Sequence, residues 1–208
     1  MRQKKDGSTC RRPATISPNS PSIDRKNRRI VLRYVADAGG RLVVVTSNAP
    51  RVIGMLGGMS WESSAQYYRL ANELVRERLG GLHSARIVLA SMDFADVGAL
   101  QVAGRWDEAG QLLASVAKGL EAAGAELLLI CTNTMHKVAD QVQAAVGIPL
   151  LHLGDPTAQA VARVGLATVG LLGTAFTMEQ DFYRDRLASH GLRVLTPAPD
   201  DRAEVQFE

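Results

Sequence analysis

Cys131, Thr132, Asn133, Thr134 and His136 stand almost side by side, directly after the apolar run Leu127–Ile130. A thiol, two hydroxyls, an amide and an imidazole at a strand end offer proton transfer and neutral hydrogen-bond donation. Thr132, Asn133 and Thr134 open a predicted helix, so their side chains and free backbone N–H groups converge where a carboxylate would sit. Cys131 has two readings: an activated acid/base thiol, or a small buried side chain that only packs. His136 is near enough in sequence to lower the thiol pKa, yet it falls on the helix that follows. His83, His136, His152 and His190 are scattered, with no HxH or HExxH spacing and no second cysteine beside them. No metal site is therefore expected.

A second polar turn, Gly57-Gly58-Met59-Ser60, also leads from an apolar run into a helix. Such a turn aims N–H groups and a positive dipole end at one spot, and so offers either an anion site or a plain strand-to-helix connection. The glycine spacing from Gly54 to Gly58 does not match Gly-x-Gly-x-x-Gly, and no Walker lysine follows, which argues against a nucleotide module.

The elements that must position these turns follow from periodicity. Val52–Leu56 is a short apolar strand. Trp61–Leu79 is a helix with Ser60 as N-cap, an apolar stripe of Tyr67, Leu70, Leu74 and Val75, and Gly80-Gly81 as its stop. Arg86–Ser91 is a second strand, 106–123 a helix, Leu127–Ile130 a third strand and 135–146 a helix. Pro149–Leu153 reads as a fourth strand and Thr157–Val164 as a helix. Strands alternating with helices imply an α/β fold: a parallel sheet with helices on both faces, binding ligands at the carboxyl ends of its strands. Gly57-Gly58, Asp93 and Cys131–Asn133 all fall at such ends.

The chain also repeats itself. Ile53–Gly57 followed by Tyr68-Arg69 is echoed by Val169–Gly173 followed by Tyr183-Arg184. Two pseudo-symmetric α/β units are expected, over 52–165 and 166–208. The counterpart of Cys131 in the second unit would fall beyond Glu208, so that unit is expected to be incomplete.

Charge is distributed unevenly. Of 24 basic and 21 acidic residues, twelve and three lie in residues 1–51, so the remainder is acidic. Residues 1–51 read as a basic leader that is expected to be disordered, with 30–36 and 42–46 either strands or an unstructured addition. The basic runs lack interleaved aromatics or a binding-fold motif, so no nucleic-acid partner is expected. No run is long and apolar enough for a membrane span, and no secretory signal precedes the body. The cysteines, Cys10 and Cys131, form no disulfide framework, and a reducing cytoplasm is the expected location.

The stretches GMLGGMSWESSAQYYRLANE, RLGGLHSARIVLASMDF, AGAELLLICTNTMHKVAD, IPLLHLGD and VGLLGTAFTMEQDFYRDRL resemble the aspartate/glutamate racemase family over residues 52–207. The resemblance implies two pseudo-symmetric domains, no cofactor, a small amino-acid substrate and a homodimer as one assembly. It also implies a cysteine from each domain, one on either face of the substrate Cα. By the same resemblance, Met59, Gln101, Thr132, Asn133 and Thr134 are substrate-binding positions, Gln101 arriving on a loop over the crevice. The sequence departs from the family pattern twice. Where the family has Cys-Asn-Thr, Thr132 takes the cysteine's place and Cys131 lies one residue earlier. The second motif, Gly-Cys-Thr-Glu, does not occur. Neighbouring strand residues point to opposite faces, so Cys131 is expected in the core and Thr132 at the groove. Thr132 becomes the expected catalytic group, with Cys131 as the alternative, in a site whose activity is impaired. The other reading is a fragment or pseudoenzyme that at most binds a small carboxylate.

Overall fold

In a computed structural model, the described residues are 32–36, 42–46 and 50–205, and the chain divides into two units, residues 1–49 and 50–208. In the first unit, β1 (Leu32–Ala36) and β2 (Leu42–Thr46) pair antiparallel, with Leu32 opposite Thr46 and Ala36 opposite Leu42. The disorder expected over residues 1–29 lies outside the described residues.

The second unit begins with β3 (Ile53–Gly57), α1 (Trp61–Leu79), β4 (Ile87–Ser91), α2 (Phe94–Val102), α3 (Trp106–Ala122) and β5 (Leu127–Ile130). The three strands form a parallel sheet in the order β4-β3-β5, with Gly54 beside both Val88 and Leu128. The chain continues through a 3-10 turn (Thr134–Val138), α4 (Ala139–Ala144), α5 (Gly154–Arg163) and β6 (Thr168–Gly170). It closes with α6 (Ala175–Glu179), α7 (Asp181–Ala188), β7 (Arg193–Leu195) and α8 (Pro199–Val205). β6 and β7 pair parallel in a small separate sheet. No helix among the described residues is long and apolar enough to cross a membrane.

Central strand β3 is buried, and its own small residues let its neighbours close on both sides. On one side Leu56, Leu128 and Ile130 join Leu113, Ala117 and Leu120 of α3 and Val142 of α4 in the main core. A Cβ at Gly54 would lie 2.7 Å from Leu128 Cδ2, so glycine is what lets β5 and α3 close on the strand. On the other side Gly57 admits Ser64 of α1. A second core gathers Ala158 of α5 with Tyr183 and Leu187 of α7 and Leu192.

Four expectations change in the structure. The helix predicted over 135–146 is split into the 3-10 turn and α4, with the buried His136 ring of that turn bonded back to Thr132 O at one nitrogen and across to Leu153 N at the other. The fourth strand contracts to a single parallel bridge, Leu128 to Leu150. Its ladder is limited to Leu128 N to Pro149 O and Leu151 N to Leu128 O before the chain turns into α5 at Gly154. Helix α2 was not foreseen. It is short, contains Gly98 and buries only Val97 and Gln101, too few apolar positions to show a period. Finally, the stripe on α1 is open: Leu70 and Leu74 are 46% and 45% exposed, because α1 meets the sheet through Ser64 and no described element covers its outer side. Ser60 does cap α1, its Oγ accepting from Ser63 N at 3.2 Å, and Gly80 ends it at φ 75°.

Candidate active site

Each turn at the carboxyl end of the sheet is built by local bonds. After β3, Gly58 takes φ 90° and donates its N–H to Ser64 Oγ at 2.9 Å, while Ser64 Oγ–H donates to Ser60 O at 3.0 Å. The chain is thereby folded back so that Met59, Ser60 and Ser63 face one side. After β4, Asp93 caps α2 by accepting from Ala95 N at 3.0 Å, and α2 carries Gln101 back to the same place in its last turn. After β5, Cys131 N–H still donates to Leu56 O at 2.9 Å; the ladder ends there and Thr132 turns away from the sheet. After β6, Thr174 caps α6 by accepting from Thr177 N.

These turns enclose a cavity of about 490 Å³. Met59, Gln101, Thr132, Asn133 and Thr134 all line it, together with Ser60, Ser63, Phe94 and the segment Gly173–Thr177. Gln101 therefore reaches the cavity from a helix and is buried, not from a loop; its Nε2 lies 2.9 Å from Met135 Sδ. Every lining side chain is neutral, so a bound anion would be held by hydroxyls, an amide and N–H groups. A larger depression, about 580 Å³, runs along α1 past Tyr68, Arg76 and His83, and the strand-end residues take no part in it.

Ser63, Phe94, Thr174, Phe176 and Thr177 escaped the sequence reading. A signal for three of them was present in the sequence: Gly173, like Gly57, closes an apolar run and leads through a polar turn into a helix. In the structure Thr134 Oγ1 lies 3.1 Å from Thr174 Oγ1, which lies 3.1 Å from Thr177 Oγ1. A chain of three hydroxyls thus joins the turn after β5 to the turn after β6. Nearby, Trp106 meets Phe176 edge-on at 5.4 Å, and Lys137 Nζ sits 4.2 Å over the Trp106 ring and bonds Gln180 Oε1.

Cys131 is 1% exposed and does not line the cavity. It is buried on the α1 side of the sheet, where its carbonyl accepts from Ser63 Oγ at 2.9 Å. Burial pushes its thiol up to about 12. His136 supplies no countervailing charge, because burial chiefly, and then His152, holds that imidazole down at about 4. At neutral pH the pair is therefore thiol and neutral ring. In a Cys10→Ser background, native protein at about pH 8 should resist a thiol-specific chromogenic disulfide that reacts at once after denaturation. Labelling of the folded protein within the mixing time would show a reactive Cys131.

The Asp/Glu/hydantoin racemase family model matches residues 56–207. The chain belongs to the Asp/Glu/hydantoin racemase family. It is 52% identical to a Yersinia pestis protein described as an Asp/Glu racemase, the match covering 74% of this chain and 68% of that one with a TM-score of 0.72. It is 34% identical to an aspartate racemase homologue of Pyrococcus horikoshii OT3, covering 74% of this chain and 67% of that one with a TM-score of 0.67. An aspartate racemase of Picrophilus torridus, 18% identical over 74% of this chain and 65% of that one, shares the fold with a TM-score of 0.60. Family membership makes the protein one of the racemases, an isomerase class. The cavity lies within the matched residues.

Proposed function

We propose that the cavity takes a small acidic amino acid of the aspartate or glutamate type, and that it moves the Cα proton without a cofactor and with impaired efficiency. The observation that carries the reading is the neutral donor set of Thr132, Asn133, Thr134 and Gln101 around one cavity in a racemase-family chain. Neutral donors at a strand end hold a carboxylate without neutralising the whole substrate, and they stabilise the charge that grows on it as Cα–H breaks. Thr132 is the group facing the reacting carbon. Its hydroxyl is a far weaker acid than a thiol, so it returns a proton to a carbanion far better than it removes one. No thiol lines the described cavity, and this favours the impaired reading over full two-sided racemisation.

The test follows the Cα–H signal of L- and D-aspartate and L- and D-glutamate in D2O with purified protein free of host racemase. Saturable binding is expected, with exchange slower than ordinary turnover, roughly 1–10³ s⁻¹, by about 100-fold or more. Thr132→Val should abolish the residual exchange while leaving binding measurable, and Thr132→Cys should raise it. Interconversion of the enantiomers at ordinary rates, unaffected by Thr132→Val, would refute the assignment.

A further inference from the structure

His136 is nearly fully buried, and both ring nitrogens are engaged. Nδ1 lies 2.8 Å from Thr132 O, and Nε2 lies 3.2 Å from Leu153 N. A backbone N–H only donates, so Nε2 is the acceptor and carries no proton. The ring is therefore the neutral Nδ1–H tautomer, and it donates to the Thr132 carbonyl. Its own position is fixed from behind by the His152 ring at 4.5 Å and the Tyr183 ring at 6.5 Å. His152 in turn accepts the Gly154 N–H at 3.1 Å.

The consequence falls on the next peptide group. In a trans peptide the C=O and the following N–H point in opposite directions. Because the Thr132 carbonyl points at the imidazole, the Asn133 N–H points away from it. That N–H meets no acceptor among the described residues, and Asn133 borders the cavity. We propose that His136 is a positioning residue: it fixes the Thr132–Asn133 peptide so that the Asn133 N–H faces the cavity and donates to the substrate carboxylate. The bond strengthens when Cα loses its proton and negative charge spreads into that carboxylate. This inference rests on the reading that the cavity takes an amino acid, but its geometric half is independent of it.

The experiment compares two substitutions with different reach. The amide nitrogen of His136→Asn replaces Nδ1, whereas that of His136→Gln extends to the place of Nε2. Residual dipolar couplings in weakly aligned, ¹⁵N-labelled protein report the direction of the Asn133 N–H. Imidazole ¹⁵N shifts report the tautomer. The expected result is an Nδ1–H ring in the wild type and an Asn133 coupling retained in His136→Asn and altered in His136→Gln. Aspartate Cα–H exchange should then fall about 10- to 100-fold in His136→Gln and be rescued to within about threefold in His136→Asn. An Nε2–H tautomer, or equal couplings in the two variants, overturns the proposal. If wild-type protein neither binds nor exchanges aspartate, the functional reading fails, and the couplings alone decide whether His136 sets the peptide.

Discussion

Gly58→Ala should destabilise the protein by about 3 kcal/mol or more, the sum of backbone strain and steric overlap. Gly58 has φ 90°, a region that side chains with a Cβ rarely enter. A Cβ there would lie 2.1 Å from Met92 O and 2.4 Å from Met92 N. Both obstacles are backbone, and Met92 N is bonded to Gly57 O at 3.0 Å, so relief requires pulling β4 away from β3 at the cavity floor. Gly80→Ala isolates the first contribution. Gly80 has φ 75°, but a methyl group added there would meet nothing within 4 Å, so only strain of about 1–2 kcal/mol is expected. Urea unfolding should show a much lower midpoint for Gly58→Ala than for Gly80→Ala at unchanged slope. Equal midpoints would mean that the turn after β3 yields freely, and that its shape does not depend on the missing side chain.

The same residues explain what was legible beforehand. Strand–helix alternation, the Ser60 cap and the Gly80 stop are local properties, and they specified β3, α1, β4, α3 and β5 without any knowledge of their neighbours. That Thr132 and not Cys131 would border the cavity was also legible, because neighbouring residues at a strand end point to opposite faces. The details that depended on distant partners were not. The 3-10 turn carries His136, whose ring accepts from Leu153 seventeen positions on, and α2 is held by Val97 and Gln101 through tertiary burial, not by its own period. The hydroxyl chain from Thr134 to Thr174 crosses forty positions and leaves no mark in either segment alone. Local pattern thus located the floor of the cavity, and tertiary contact supplied its far wall.

That wall and floor share one support, and its chemistry is pH-dependent. The imidazole of His136 is held down to about 4, first by burial and next by the facing His152, against the opposing pull of the Thr132 and Asn133 backbone and of Asp155. The unfolded ring titrates near its ordinary value of about 6.5. Between those two values the unfolded chain binds a proton that the folded chain refuses, so lowering the pH stabilises the unfolded state. The loss is absent above about pH 6.5 and complete near pH 4, and it amounts to roughly 3 kcal/mol. His152 is also held below its ordinary value, by burial and then by Arg186, and acts in the same direction. Asp155 contributes nothing in this window. Its hydrogen bond from Arg186 keeps it at about 2, so its stabilisation persists above about pH 4 and disappears only below. Urea midpoints measured at about pH 7, 6 and 5 should therefore fall steadily. Tyr183 of α7 and Arg186 stand around the same rings and do not titrate there, while Asp140 and His190, the latter 2.9 Å from Asp155 Oδ1, also face His152. His136→Asn should remove most of that slope; a variant that kept it in full would show that the buried ring is not what acid attacks.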